Sequence, residues 1–554
     1  MEGTRESRLK EIINWVANKP EEKDLPQNNT YWIYGLPGIG KTSLAHSICA
    51  NLDDQRQLAG AFFCRRDDPN LSEPTNILPT LICKLAENFP SFRKIVAIHL
   101  RNHPNLTPES MKGSLFLDFL DNLPYGPNNS LVLVIDAFDE CGNHRSRPPL
   151  LRLLTGAAAS TSWLKIIITS RPEADIERVF EGLTRSSFLQ YDLGKDQEAS
   201  HDLRTFAQSE FGLVAQEWDL SPPWPEESLL DKLISRANGL FIFIKTLVLA
   251  LEHCADPTGF LEATSKEAGA ELKPLFELYS NILKSRITHS NAEFQRMVGV
   301  LLIAAPYRAL CAETIAELAG VGPTLVKKWV KDLSSLLYRD EGTNGGIRVR
   351  HLSISEFLVS DDCPCDYQIN LREANVKLGI ACHKKMVSKL RFNICRLQDS
   401  RLANADVKDL PSRIREHISD SLQYSALYWS NHLCSTPNKD DQRVWESLKE
   451  FFEGVCPLFW IEVLSLMGMV PMGVPSIRKV MAWAKVSTAP ACIRVILIGR
   501  RMGIRPFLRE FRTFVVSCSL FTPPSQSALH TPIFQRDPSC PHTRFYQIPL
   551  ARGL

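Results

Sequence analysis

The stretch YWIYGLPGIGKTSLAHSIC, residues 31–49, decides the fold. Four apolar, β-favouring residues, Tyr31 to Tyr34, run into a glycine-rich turn, and the turn runs into a helix with Leu44, Ile48 and Leu52 on one face. Gly35, Gly40, Lys41 and Thr42 fall on the spacing G-x-x-x-x-G-K-[ST], with Gly38 between them and Ser43 just after. Glycines let the backbone curl until successive N–H groups point inward, and a helix N-terminus behind them favours an anion. Such a loop binds phosphate, with Lys41 reaching the terminal phosphates and the Thr42 hydroxyl holding Mg²⁺.

The rest of the first 195 residues supplies a sheet for this loop. AGAFFCR (59–65), SLVLVIDAFDECG (130–142), KIIITSRPE (165–173) and SFLQYDL (187–193) alternate with helical segments near 75–89 and 109–123. Strands alternating with helices predict an α/β, doubly wound parallel sheet. The unbroken apolar run Leu131–Ile135 suits a strand buried on both faces. Ligands on such sheets bind beyond the carboxyl ends of the strands. Asp136 stands at one of those ends, where a carboxylate would reach Mg²⁺ held by Thr42. Ala137 follows it, and the next acids, Asp139 and Glu140, are candidates for orienting an attacking water. Arg171, past the end of KIIITS, either faces γ-phosphate charge or serves as a strand-end salt-bridge partner.

The 554 residues carry a formal charge of +2, which gives no global basic field and argues against a dedicated nucleic-acid binder. Residues 1–30 are polar and show no signal peptide. VCPLFWIEVLSLMGMVPMGV (455–474) is the most apolar long stretch, but Glu462 and two prolines favour a buried helix over a membrane span. Fifteen cysteines without a repeating spacing suggest reduced thiols in a cytoplasmic protein. A Cys363-Pro-Cys365 pair has no second close pair to complete a zinc site.

Taken together, GLPGIGKTSLA, LVLVIDAFDECG, KIIITSRPE and ANGLFIFIKTL (237–247) resemble a NACHT domain of the fungal NOD-like, STAND-type P-loop NTPases. The lead-in GTRESRL (3–9) is similar to that family's as well, and the small residue after Asp136 is its variant of the metal strand. The resemblance implies a lead-in helix and linker (1–28), a nucleotide-binding domain (29–195), a small helical domain (196–265) and a winged-helix domain (266–360). An α-helical region (361–520) and an extended tail (521–554) follow. HLSISEFL (351–358) resembles the family segment H-x-S-F-x-D-F-L, with Ile354 and Glu356 replacing Phe and Asp. By that resemblance His351 contacts the β-phosphate and makes a switch of the bound nucleotide. Family members carry a C-terminal WD-repeat propeller; no repeat of that period is visible in this sequence.

The expectation is therefore a regulatory switch that binds ATP or GTP with Mg²⁺ and hydrolyses it slowly. It would assemble with itself on activation and signal through protein partners, in incompatibility or innate-immune recognition. Two other readings stay open: a non-hydrolysing nucleotide-binding scaffold, and a winged-helix nucleic-acid regulator using Lys327, Lys328 and Lys331. The basic run Arg494, Arg500, Arg501, Arg505 and Arg509 reads as a solvated or docking face rather than a membrane anchor.

Overall fold

A computed structural model describes residues 4–17, 28–88, 90–102, 116, 120, 130–161, 163–184, 187–196, 198–252, 254–265, 273–287, 291–343, 345–398, 403–435, 441–453 and 455–485. Five parallel strands, β1 (Thr30–Tyr34), β2 (Leu58–Phe63), β3 (Leu131–Asp136), β4 (Leu164–Ser170) and β5 (Phe188–Asp192), form one sheet in the order β2-β3-β4-β1-β5. The three central strands are buried on both faces, which is why they read as apolar runs rather than alternations. β5 alternates weakly because it is an edge strand with half-buried positions.

Side-chain alternation sends Tyr31, Ile33, Val132, Val134 and Ile167 to one core and Trp32, Leu133, Ile135, Ile166 and Ile168 to the other. The first face is covered by the helices Glu6–Ala17 and Lys41–Asp54, the second by Ile77–Asn88, Arg147–Ser160 and Ala174–Glu181. On that second face Trp32 stacks on Phe180 with centroids 4.4 Å apart. The sheet order inserts β4 between β1 and β3. Thus the residues at the end of β4 lie between the phosphate loop and the acids after β3.

The lead-in is anchored by charge. Arg5 is buried, donates its backbone N–H to Asp202 at 3.0 Å and pairs with Asp196 through its guanidinium. A further N–H of that group reaches the carbonyl of Ile39, on the phosphate loop, at 3.4 Å. Four helices follow the sheet: Ala199–Glu217, Glu227–Ala237, Phe241–Leu251 and Pro257–Ser265. Asn238 and Gly239, both in the left-handed region, end the second of these and start the third, as the sequence suggests.

The helices Lys273–Arg286, Asn291–Ala304, Ala312–Ala319 and Pro323–Asp332 lead to an antiparallel hairpin, β6 (Leu337–Asp340) and β7 (Gly346–Val349). In VGPTLVKKWVKDLSSLLYRD (321–340) the apolar residues at 325, 326, 329, 330, 333, 336 and 337 have the spacing of one continuous helix, but the chain does not form one. The helix stops at Asp332, and Leu333, Leu336 and Leu337 are buried in the turn and first hairpin strand instead. Helical spacing and a buried turn can satisfy the same apolar positions, so the stripe alone overreached. The helix Leu352–Val359, carrying HLSISEFL, comes directly after the hairpin.

The remaining described residues form a helical bundle, with Leu371–Lys389 packed along Asp420–Cys434 and flanked by Gln442–Glu453, Cys456–Leu466 and Gly473–Lys485. Glu462 accepts the backbone N–H groups of Asn393 and Ile394, so the carboxylate in the apolar stretch is satisfied inside the bundle. No described helix is long and apolar enough to cross a membrane. The twelve described cysteines are all free, and no metal cluster of acidic, His and Cys side chains occurs among the described residues. The helical segment expected at 109–123, the basic run at 494–509 and the tail at 521–554 lie essentially outside the described residues.

The two long bundle helices approach closely at Gly379, where an added Cβ would lie 2.5 Å from Leu433 Cδ2 and 3.1 Å from its backbone nitrogen. Gly379→Ala is expected to cost about 1–3 kcal/mol through overpacking, less the small gain in helix propensity. Thermal unfolding should report the loss, while nucleotide binding to the distant sheet stays unchanged.

Candidate functional site

The phosphate loop forms as its glycines require. Gly38 has φ +78°, and a Cβ there would sit 2.0 Å from Ile242 Cγ2. The close approach is used: Ile242 donates its N–H to the Gly38 carbonyl at 3.1 Å, seating the helix Phe241–Leu251 on the loop. Gly40, at φ +101°, turns the chain into Lys41–Asp54 without a side-chain cap, which leaves that helix's first N–H groups for an anion. Lys41 folds back onto the carbonyls of Gly35 and Leu36, at 2.7 and 2.9 Å. Burial pulls its pKa down to about 8, against the pull of Asp139, Asp136 and Glu140. Thr42 is the second residue of that helix, close enough to Asp136 to favour its charged form, and half-buried Ser43 follows.

Asp136, at the end of β3, is wholly buried. Burial raises its pKa, while hydrogen bonds from Thr169 and Thr42 oppose the shift. Thr169 has a double role: its hydroxyl donates to Asp136 and accepts the Ala137 N–H at 2.9 Å. Ala137 takes the left-handed conformation, φ +51°, and this turns the chain back so that Asp139 and Glu140 also face the carboxyl edge of the sheet. A β-branched or bulky residue would be strained there, which accounts for the small residue after the acid.

Arg171 holds Asp139 twice, by its backbone N–H at 2.9 Å and its Nε at 3.3 Å. Its other arm binds Glu356 at 2.5 Å. Both sequence-level readings of Arg171 thus converge on one position: it is an ion-pair partner, and it stands at the site's edge. Glu140 accepts the Arg66 N–H at 3.2 Å, and burial with Asp139 alongside raises its pKa to about 7.

His351 is brought to the same place from 180 residues downstream of β4. Its Nδ1 accepts the Ser353 N–H at 3.2 Å, so the ring proton belongs on Nε2. Ser353 in turn bonds Tyr279 at 2.8 Å, fixing the ring's supporting side. Burial, with Arg171 and Lys41 near enough to disfavour a third positive charge, pushes its pKa down to about 3. The ring is a neutral donor.

All the expected site residues therefore converge on one edge of the sheet. The sequence reading missed Thr169, Arg66 and Arg147. Arg147 is buried, donates to the Asp139 carbonyl at 2.7 Å and pairs with Glu173 and Asp175. RRDD at 65–68, a charged cluster just past a strand's carboxyl end, was the available signal for Arg66.

The chain is similar to known proteins over most of its length. The family model described as Nephrocystin 3, N-terminal, matches residues 10–171. The vegetative incompatibility protein HET-E-1 of Podospora anserina is 25% identical over 548 residues, covering 91% of this chain. These matches support a fungal NACHT-type NTPase. The chain spans 38% of the length of HET-E-1. Among solved structures, a Walker-type ATPase of Pyrococcus abyssi is 14% identical over 64% of this chain and 95% of its own, with a TM-score of 0.29. Cdc6p of Pyrobaculum aerophilum is 12% identical over 64% and 94%, with a TM-score of 0.30. Scores this low do not establish a shared whole-chain arrangement.

His351 makes the closed arrangement sensitive to acid. Its pKa when buried lies below its ordinary 6.5, so its contribution to closure is complete above pH 6.5 and drains as the pH falls below it. In nucleotide-free protein, each pH unit below 6.5 should cost up to about 1.4 kcal/mol. Glu140, raised to about 7, pulls the other way over the same range, so the test is a difference: between pH 7 and pH 5, hydrogen exchange of residues 352–359 should rise more in wild type than in His351→Asn.

Proposed function

We propose that the chain is a nucleotide-gated regulatory switch in which the segment after the hairpin reads the phosphates bound at residues 35–43. The observation that carries this is the ion pair between Glu356 and Arg171, which seats the helix after the hairpin, with His351 at its start, on the edge of the sheet that bears the phosphate loop. A ligand in the phosphate loop touches both the sheet and the last element packed on it, so exchanging diphosphate for triphosphate changes the energy of closure. His351 donates Nε2–H to a phosphate oxygen. Arg171 divides its charge between Asp139, Glu356 and the γ-phosphate when one is present.

The ligand is ATP or GTP. Thr42 and Asp136 would hold Mg²⁺, since a hydroxyl and a carboxylate near each other suit a cation that takes its remaining ligands from water and phosphate. Bound there, the ion supplies positive charge against the phosphates. Hydrolysis uses Asp139 or Glu140 to orient water. It is slow, because Asp139 is occupied by the backbone N–H and side chain of Arg171 in the closed form.

That same occupation favours a second reading, a scaffold that binds nucleotide without hydrolysing it. The three helices and hairpin at 291–349 serve as a winged helix that clamps the site rather than a DNA reader. Lys327 is paired with Glu313 at 2.7 Å, and Arg348 of the hairpin is buried against the sheet domain. Opened protein would assemble with further copies and pass the signal to protein partners, by analogy with an incompatibility protein.

Identification of the co-purifying nucleotide tests the central claim. Wild-type protein should carry nucleotide and Lys41→Ala should carry less than about a tenth as much; equal occupancy would overturn the reading. Asp139→Ala and Glu140→Ala separate the two forms of it. A triphosphate that persists for hours in wild type, unchanged by either substitution, favours the scaffold.

A further inference from the structure

RRDD, residues 65–68, leaves the sheet at the carboxyl end of β2, where Cys64 donates its N–H to the Asp136 carbonyl at 2.9 Å. The four side chains and their backbone face two ways. Arg66 faces the site: its N–H binds Glu140 Oε2 at 3.2 Å and its Nη2 binds the Asp139 carbonyl at 3.1 Å. Arg65, Asp67 and Asp68 face the hairpin. Arg65 donates to the Tyr338 hydroxyl at 2.5 Å and is braced by Asp67 at 2.6 Å. Asp67 and Asp68 each hold one arm of Arg348 at 3.3 Å. The third arm, Nε, reaches Asp340 of the hairpin itself at 2.9 Å.

The Arg348 side chain is 2% exposed, and its three carboxylates are 17% exposed or less. A guanidinium so placed is held by its partners on both domains, and without it three half-buried carboxylates face one another. The seat of Arg348 is therefore a strong constraint on where residues 67 and 68 can lie. The peptide that bears the Arg66 N–H is one residue away. No nucleotide contact is needed for this chain of bonds, which enters from the hairpin rather than from the helix that carries His351 and Glu356, and joins the Arg171 route only at Asp139.

We propose that residues 65–68 are a positioning segment: the hairpin, docked through Arg348, holds the Arg66 N–H on Glu140 and so fixes the orientation of that carboxylate. Release of the hairpin frees the segment, and Glu140 loses its fixed orientation. The consequence for hydrolysis rests on the reading of Glu140 proposed above; the coupling of hairpin to Glu140 does not.

The test uses the full chain, with Arg348→Gln as the strong variant and Tyr338→Phe as a mild one that removes only the hydroxyl accepting from Arg65. Hydrogen exchange at residues 65–68 and 138–141 should quicken about tenfold in Arg348→Gln and less in Tyr338→Phe, with 131–135 unchanged. Faster exchange confined to the hairpin, 337–349, would overturn the coupling. Should Arg348→Gln fail to fold, the same pattern in Tyr338→Phe decides it. For positioning, single-turnover hydrolysis in Arg348→Gln should fall about tenfold at unchanged nucleotide Kd, and the variant should add nothing to Glu140→Gln. Additive losses, or a change in Kd alone, would overturn the positioning role. Failure of the switch reading is seen separately, as nucleotide retained by Lys41→Ala.

Discussion

A buried guanidinium must be matched by carboxylates, and Arg171 is matched from two directions. Asp139 approaches from the turn after β3 and Glu356 from the helix after the hairpin. The two acids are 217 positions apart in the chain, and only a closed arrangement brings both to one cation. On the proposed reading, the cost of leaving either charge unpaired in this partly buried place makes opening two-state rather than gradual. Strand order is the precondition. With β4 seated between β1 and β3, the residue just past its end, Arg171, meets the acidic turn and the helix after the hairpin at once.

Much of this was legible in the sequence because the signals were local. The loop at 35–42 requires glycine at set positions, and central parallel strands must be apolar on both sides, so β1, β3 and β4 declare themselves. Asp136, Asp139 and Glu140 follow a strand directly, and Arg171 does the same. Those readings needed only chain direction and the rule that such sheets bind ligands at one end. His351 was reached differently, through a resemblance; nothing in residues 340–360 alone says that a histidine there meets a lysine three hundred positions earlier.

What the sequence could not display was pairing at a distance. Arg147, Thr169 and Arg66 are ordinary residues until the fold sets them against Asp139, Asp136 and Glu140. The stripe at 325–337 misled for a related reason. Burial at Leu333, Leu336 and Leu337 is real, but periodicity cannot distinguish a continuing helix from a turn that enters a strand. The apolar helix at Cys456–Leu466 was readable because a single charged residue, Glu462, must find partners and does so on the neighbouring backbone.

The balance of charge around the phosphate loop constrains what it can accept. Lys41, Arg66, Arg147 and Arg171 stand among Asp136, Asp139, Glu140, Glu173, Asp175 and Glu356, with the acids in the majority. An anion entering this edge meets the acids beyond the first turn of helix Lys41–Asp54, even though the loop itself attracts it. On the proposed reading, the phosphate chain must bring its own divalent cation, and the oxygens of Thr42 and Asp136 lie where the excess of acid is greatest. Phosphate arriving this way also competes with Asp139 and Glu356 for Arg171. Each partner that Arg171 gives up loosens either the acidic turn or the helix after the hairpin, and so ligand chemistry at the carboxyl edge of the sheet becomes the position of the domain docked there.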